Sequence, residues 1–279
     1  MSVTDAPVWT GEFRKPRNSA AEVKGSIHDD ATASKLGFKG GTVAGSIHMD
    51  QFVPGLVEIY GDRWFERGAM SLYFTQATVD AEAVRASIEP GEERARLTMH
   101  NEAGAQICEG TATLGHDPSS ELARRLEAQT PSEPQSLRIL QAMRVGDEHD
   151  GIPIRVEPEH LAAYLERITE VMPAYRDDQV LPPAQVVHLA HMTRKQVLAK
   201  AAQPSVGLFG ALEVEQVAGP LRAGVDYLAR TRVLKFSESP RTENVWYEVL
   251  FTAKDGGPDL GRVLYLLRFM KGSSPLWAP

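Results

Sequence analysis

Two stretches of this 279-residue chain carry side chains suited to moving protons. In GSIHDDATASKLGFKGGTVAGSIHMDQF (25–52), His28 is followed by Asp29 and Asp30, then by a Gly-Phe-Lys-Gly-Gly run and a second histidine, His48. An imidazole with a pKa of about 6.5 suits general acid–base work near neutrality, and a neighbouring carboxylate raises that value. An exposed loop histidine that only caps the next turn would look the same at this level. His48 and Asp50 stand two residues apart, so on a helix they point to different faces. In the second stretch, His188 and His191 are three apart and share a helix face. Such a pair could begin a metal site, but no Cys or HExxH-type third ligand accompanies it, so no metal is expected.

Gly40, Gly41 and Gly45 fall just before and inside the expected helix start. A glycine there lets a carbonyl approach backbone N–H groups at the positive end of the helix dipole, an oxyanion-hole arrangement. A tight turn with positive φ would also use glycine. Inside a helix Gly45 costs about 1 kcal/mol relative to Ala, so something must offset it.

The elements that position these residues follow from patterning. The composition, 42% hydrophobic and 24% charged, is that of a globular protein, and the length allows one large domain or two smaller ones. A formal charge of −7 argues against a nucleic-acid surface. The single Cys108 cannot form an internal disulfide, the N-terminal residues contain no apolar signal core, and no run of 18 apolar residues occurs. These features predict a cytoplasmic protein with no membrane partner.

The chain also repeats itself weakly. TVAGSIHM (42–49) aligns with QVVHLAHM (185–192), setting His48 opposite His191; GAMSLYF (68–74) aligns with GALEVEQ (210–216). HDD (28–30) has a partner in YRDD (175–178), and HNEAGAQ (100–106) in AKDGGPD (253–259). Four landmarks in the same order point to a duplicated unit. The division is an N-terminal half at 1–116, a connector at 117–149 with one short helix at 119–128, and a C-terminal half at 150–279. Each half predicts a helix (42–53, stopped by Pro54, and 183–202) followed by strands. AVRASIEPG, ERARLTMHN and QICEGTATLG are the first-half strands, and DYLARTRVLKFSES, ENVWYEVLFTAK and GRVLYLLRFM those of the second. Helix followed by antiparallel strands, twice over, is an α+β architecture with a sheet wrapped on a central helix in each half.

With these parts in place, the 25–52 stretch resembles the MaoC-like, (R)-specific enoyl-CoA hydratase group of the hotdog fold. In SIHDDATASKLGF, residues His28, Asp30, Ala33, Gly37 and Phe38 fall in register with the group's loop, and Gly45 matches the glycine at its helix entrance. In the second half, Tyr175 stands where a histidine would be expected. The resemblance implies a double hotdog, two long helices each wrapped by an antiparallel sheet, with the halves joined edge to edge and both helices on one side. It implies hydration of a trans-2-enoyl thioester, or dehydration of its (R)-3-hydroxyacyl form, with no cofactor. The substrate would ride on coenzyme A or an acyl carrier, and a homodimer is compatible with the pattern. His28 would be the acid–base group and the Gly45 amide would polarise the carbonyl. The second, degenerate half would widen the tunnel for the acyl group.

The sequence departs from the group at one chemically central position. The group's catalytic Asp lies five residues before the histidine, and here that residue is Val23. Glu22, Asp29 and Asp30 are the nearest carboxylates in sequence that could replace it. Arg14, Lys15, Arg17, Lys35, Lys39, Arg63 and Arg67 could hold coenzyme A phosphates, although scattered cations are ordinarily solvated surface. Two rival readings share the fold: thioester hydrolysis with Asp50 activating water, and a catalytically silent acyl-thioester-binding subunit.

Overall fold

The computed structural model describes residues 7–133 and 136–277. Ten strands form a single antiparallel sheet. They are β1 (Trp9–Thr10), β2 (Gly68–Phe74), β3 (Val84–Glu89), β4 (Ala95–Asn101), β5 (Gln106–Leu114), β6 (Glu148–Ile154), β7 (Gly207–Gln216), β8 (Tyr227–Glu238), β9 (Thr242–Ala253) and β10 (Gly261–Met270). Their spatial order is β1-β3-β4-β5-β2-β7-β10-β9-β8-β6. The two halves therefore meet at β2 and β7, the strands carrying GAMSLYF and GALEVEQ. Aligning those segments sets Ser71 opposite Glu213, and the sheet pairs these two residues. This is the double hotdog fold.

Period-two alternation decides which side chains reach which face. On β9, Val245, Tyr247, Val249 and Phe251 enter the main core, while Trp246 points to the opposite face. On β10, Val263, Tyr265, Leu267 and Phe269 join the core, and Leu264 and Leu266 join Trp246. The helices of both halves cover the core face, contributing Met49, Phe52 and Leu56 from one half and Val186 and Leu189 from the other.

The helices are shorter and more broken than the periodicity predicts. They are α1 (Asp30–Lys35), α2 (Gly45–Met49), α3 (Val53–Tyr60), α4 (Arg63–Arg67), α5 (Glu121–Ala128), α6 (Pro158–Leu165), α7 (Pro173–Asp177), α8 (Pro183–His191) and α9 (Arg194–Val197). The expected stop at Pro54 is corrected: a 3₁₀ turn at Asp50–Phe52 links α2 to α3, and Pro54 sits in the first turn of α3. There its missing N–H removes no intrahelical bond, so the chain runs on as helix. The single helix expected over 183–202 divides into α8 and α9.

The connector packs against both sides of the sheet. Ser120 caps α5 by accepting the Ala123 amide (3.1 Å), and Leu122 lies on the outer face beside Trp246. Further along, Leu137, Ile139, Leu140 and Met143 are buried in the main core. None of the helices among the described residues is long and apolar enough to cross a membrane.

Candidate active site

The His28 loop owes its shape to local hydrogen bonds. The Asn18 side-chain amide donates to the His28 carbonyl (2.8 Å), and the Ser26 hydroxyl accepts the His28 amide (3.2 Å). Asp30 accepts the Gly41 amide (2.7 Å), tying the start of α1 to the approach to α2. A side chain at Gly41 would put its Cβ 2.1 Å from the His28 carbonyl oxygen, so only glycine allows the two strands of the loop to lie this close.

Within that frame the His28 ring is oriented. Its Nδ1 lies 2.7 Å from the Thr42 carbonyl oxygen. A carbonyl can only accept, so Nδ1 carries a proton and Nε2 is the nitrogen left for a ligand. His28 lines a cavity of about 720 Å³. The cavity's apolar wall includes Phe38, Val43, Phe74, Phe209, Leu267 and Met270, drawn from both halves. Gly45 lines it too, at the opening turn of α2. A Cβ at Gly45 would sit 2.7 Å from the Phe74 ring, so the close approach of that ring offsets the cost of a helical glycine.

None of the sequence-proposed carboxylates lines this cavity. Glu22 is exposed. Asp29 is buried but occupied: it accepts from the Thr32 hydroxyl (2.7 Å) and the Gly25 amide (3.4 Å) and pairs with Lys24 (3.4 Å). The Thr32 hydrogen bond, with the Gly25 and Lys24 contacts, holds the Asp29 carboxyl down at about 2 against the opposing effect of burial. Asp30 is committed to Gly41. Val23, at the position where the resemblance expects Asp, does line the cavity.

Asp50, the residue proposed for hydrolysis, belongs to a separate small recess with Arg14, Arg167 and Glu170. It accepts from the Tyr164 hydroxyl (2.5 Å) and the Ala184 amide (2.9 Å), both of the second half. Burial pushes its carboxyl up to about 7, partly opposed by those two hydrogen bonds.

The repeat-related histidines differ. His48 is buried, bonded to the Thr78 hydroxyl (2.9 Å), with the Gln51 amide 3.4 Å from its Nδ1; burial holds it neutral, near 4. His191 also lines the cavity, but its Nδ1 is buried with no hydrogen-bond partner among the described residues. His188 turns away and stacks on His160 at 4.6 Å. No cluster of three or more His, Cys, Asp or Glu suited to a metal occurs among the described residues.

His191 and Arg194 are the cavity residues that the sequence reading left out of the site. The one signal that could have found them is the repeat, which sets His191 opposite His48. The contacts themselves are between residues far apart in the chain.

No protein-family model matches the sequence, and no curated protein matches it. Solved structures do match in fold. A conserved hypothetical protein from Mycobacterium tuberculosis with a double hotdog fold superposes with a TM-score of 0.59 at 12% identity, covering 95% of this chain and 96% of that one. A MaoC-like dehydratase gives 0.51 at 12% identity, covering 94% and 97%. The dehydratase domain of PpsC from Mycobacterium tuberculosis, in complex with C12:1-CoA, gives 0.50 at 11% identity, covering 94% and 93%. At these identities the likeness is one of fold.

Proposed function

We propose that the protein binds an acyl thioester in the cavity and interconverts its trans-2-enoyl and (R)-3-hydroxyacyl forms, with His28 as the proton carrier. The observation that carries this reading is the orientation of His28: Nδ1 is fixed on the Thr42 carbonyl, leaving Nε2 as the basic nitrogen on a cavity of ligand size. The shared fold with a MaoC-like dehydratase and an acyl-CoA-bound dehydratase domain supports the substrate class by analogy only.

With no carboxylate on the wall among the described residues, a one-base route fits the chemistry best. In dehydration, Nε2 takes the proton from Cα while electron density moves onto the thioester carbonyl. The same Nε2–H then protonates the departing β-oxygen, the Cβ–O bond breaks, and water leaves with the ring neutral again. Hydration is the reverse. The Gly45 amide, which as the first residue of α2 has no acceptor inside the helix, would steady the carbonyl oxygen. Incubating the protein with crotonyl-CoA while following enoyl absorbance and free thiol tests this: absorbance should fall with no thiol release. Loss of absorbance matched by an equal release of thiol would make the protein a thioesterase.

A second reading, a silent acyl-thioester-binding subunit, is favoured by Val23 occupying the cavity wall where a carboxylate is expected. Val23→Asp separates the two. In the one-base reading the variant changes an existing rate, whereas in the silent reading the wild type is inert and the new carboxylate creates the first measurable turnover.

A further inference from the structure

Four cationic residues border the cavity and, among the described residues, no carboxylate does. Three of the four are accounted for. Lys24 pairs with Asp29 (3.4 Å), and the exposed Arg241 donates to the Leu36 carbonyl (3.1 Å). Arg268 lies on the outer face of β10, where it donates to the Tyr73 hydroxyl (2.7 Å). Arg194 opens α9, is partly buried, and makes no ion pair or side-chain hydrogen bond with any described residue.

The groups that share the cavity with it carry no negative charge. His191 packs edge-on to Phe209 at 6.1 Å, and Phe209 in turn meets Tyr265 at 5.8 Å, which stacks on Tyr247 at 4.6 Å. Burial first, then the nearby Arg194, His188 and His28, push His191 down to about 4, so it is neutral at pH 7. His28 of one half and Arg194 of the other line the same cavity as this ring. In the first half, the position aligned with Arg194 is Gln51, a neutral side chain engaged with His48. A guanidinium held on a partly desolvated wall without a counter-charge is unfavourable unless a ligand brings that charge.

We propose that the acyl group received by this cavity ends in a carboxylate that Arg194 binds, so that the substrate is the mono-thioester of a short dicarboxylic acid. This rests on the acyl-thioester reading above. Arg and carboxylate form paired, charge-assisted hydrogen bonds, and the neutral His191 stands beside them as a further polar partner. The short reach follows from His28 and Arg194 lining one cavity of about 720 Å³, which must hold the thioester as well as the acyl group.

Calorimetric titration with two matched thioesters, succinyl and butyryl, tests this on the full chain. The pair differs by a carboxylate in place of a methyl, and each is measured on coenzyme A and on N-acetylcysteamine, which has no phosphate. The wild type should bind the succinyl ester at least about tenfold more tightly on both carriers. Arg194→Gln should abolish that preference at an unchanged melting temperature, Arg194→Lys should keep part of it, and His28→Ala should keep all of it. Butyryl binding with no succinyl preference overturns the carboxylate subsite and leaves the thioester reading standing. An Arg194 effect seen equally for both acyl groups, and only on coenzyme A, assigns the arginine to phosphate and also overturns it. If neither ester binds on either carrier, the thioester reading itself fails and the carboxylate subsite falls with it.

Discussion

The two halves repeat the same order of elements around one sheet, and differ at the place where the resemblance expects a histidine in each. In the first, the loop after residue 25 presents His28 to a cavity of about 720 Å³. In the second, the aligned place holds Tyr175 in α7, 2% exposed and packed edge-on against Phe65 at 5.9 Å. Tyr175 borders a recess of about 20 Å³, and its buried hydroxyl has no hydrogen-bond partner among the described residues. One copy keeps a polar ring where a ligand can reach it, and the other fills the space with an aromatic. A packed aromatic at this place leaves no room for a ligand, while the strands of both halves pair without interruption across the sheet. The closed half still contributes to the open one, because His191, Arg194 and Phe209 all line the first half's cavity.

The largest expected effect separates the halves directly. His28→Ala should lower enoyl-thioester hydration by about 10²–10⁴-fold, the usual cost of losing an acid–base group. The melting temperature should drop by only a few degrees, since the side chain contributes one hydrogen bond worth about 1 kcal/mol. Comparable activity in the variant, measured by loss of enoyl absorbance, would make His28 a structural loop residue.

At Tyr175 the effect should move from activity to stability. Tyr175→Ala removes a fully packed aromatic ring and should cost about 3–5 kcal/mol in denaturant unfolding, with turnover per folded molecule retained. Tyr175→Phe keeps the ring and removes an unsatisfied hydroxyl, so it should be neutral or stabilising by about 1 kcal/mol. A strong loss of turnover in the folded Phe variant would mean that the second half keeps a working site.

How far the sequence foretold this difference depends on the range of the interactions involved. GRVLYLLRFM is β10 residue for residue, because alternation and β-branched or aromatic content are local properties. GAMSLYF and GALEVEQ were legible as matching segments, but their pairing in the sheet, with Ser71 against Glu213, is a long-range contact that no local pattern states. Pro54 misled because a proline reads alike at the end of one helix and in the first turn of the next. At the site, His28, Gly45 and the Asp30 brace lie within one continuous motif. Asp29 reads in sequence as a free carboxylate, yet Thr32, three residues on, occupies it. Arg194 has no local signal at all: its significance comes from a cavity whose other wall is more than 110 residues away.

A smaller effect lies at the contact that joins the halves. Asp50 reaches from the helical run of the first half to Tyr164 of α6 and to the Ala184 amide of α8. Its carboxyl is raised to about 7 in the folded protein, chiefly by burial, from an ordinary value of 3.8. A raised carboxyl contributes its full stability below the unfolded value and loses it as pH climbs to the folded one. The loss therefore falls between about pH 4 and pH 7 and levels off above that. The side chain is partly exposed, so screening by solvent should reduce the effect to about 1–2 kcal/mol. Asp50→Asn keeps an acceptor for Ala184 and stays neutral throughout. Its stability relative to wild type should rise by that amount from pH 4 to pH 7.5 in urea titrations, and a parallel pH profile for the two proteins would show that Asp50 is ionised in the fold.

The smallest effect should come from Glu22, which sits next to the position that most sharpens the contrast between the halves. It is exposed and forms no hydrogen bond or ion pair with a described residue, while its neighbour Val23 faces the cavity. For Glu22 to act on a substrate the turn must rearrange, because Glu22 does not line the cavity and Val23 does. Glu22→Ala should therefore leave stability within about 0.5 kcal/mol of wild type, as surface substitutions do, and turnover within about twofold. Turnover and urea unfolding measured on the same preparation check both numbers. A loss approaching that of His28→Ala would mean that the loop rearranges around bound thioester to bring Glu22 inward, and that catalysis in the open half uses a carboxylate–histidine pair in place of one base.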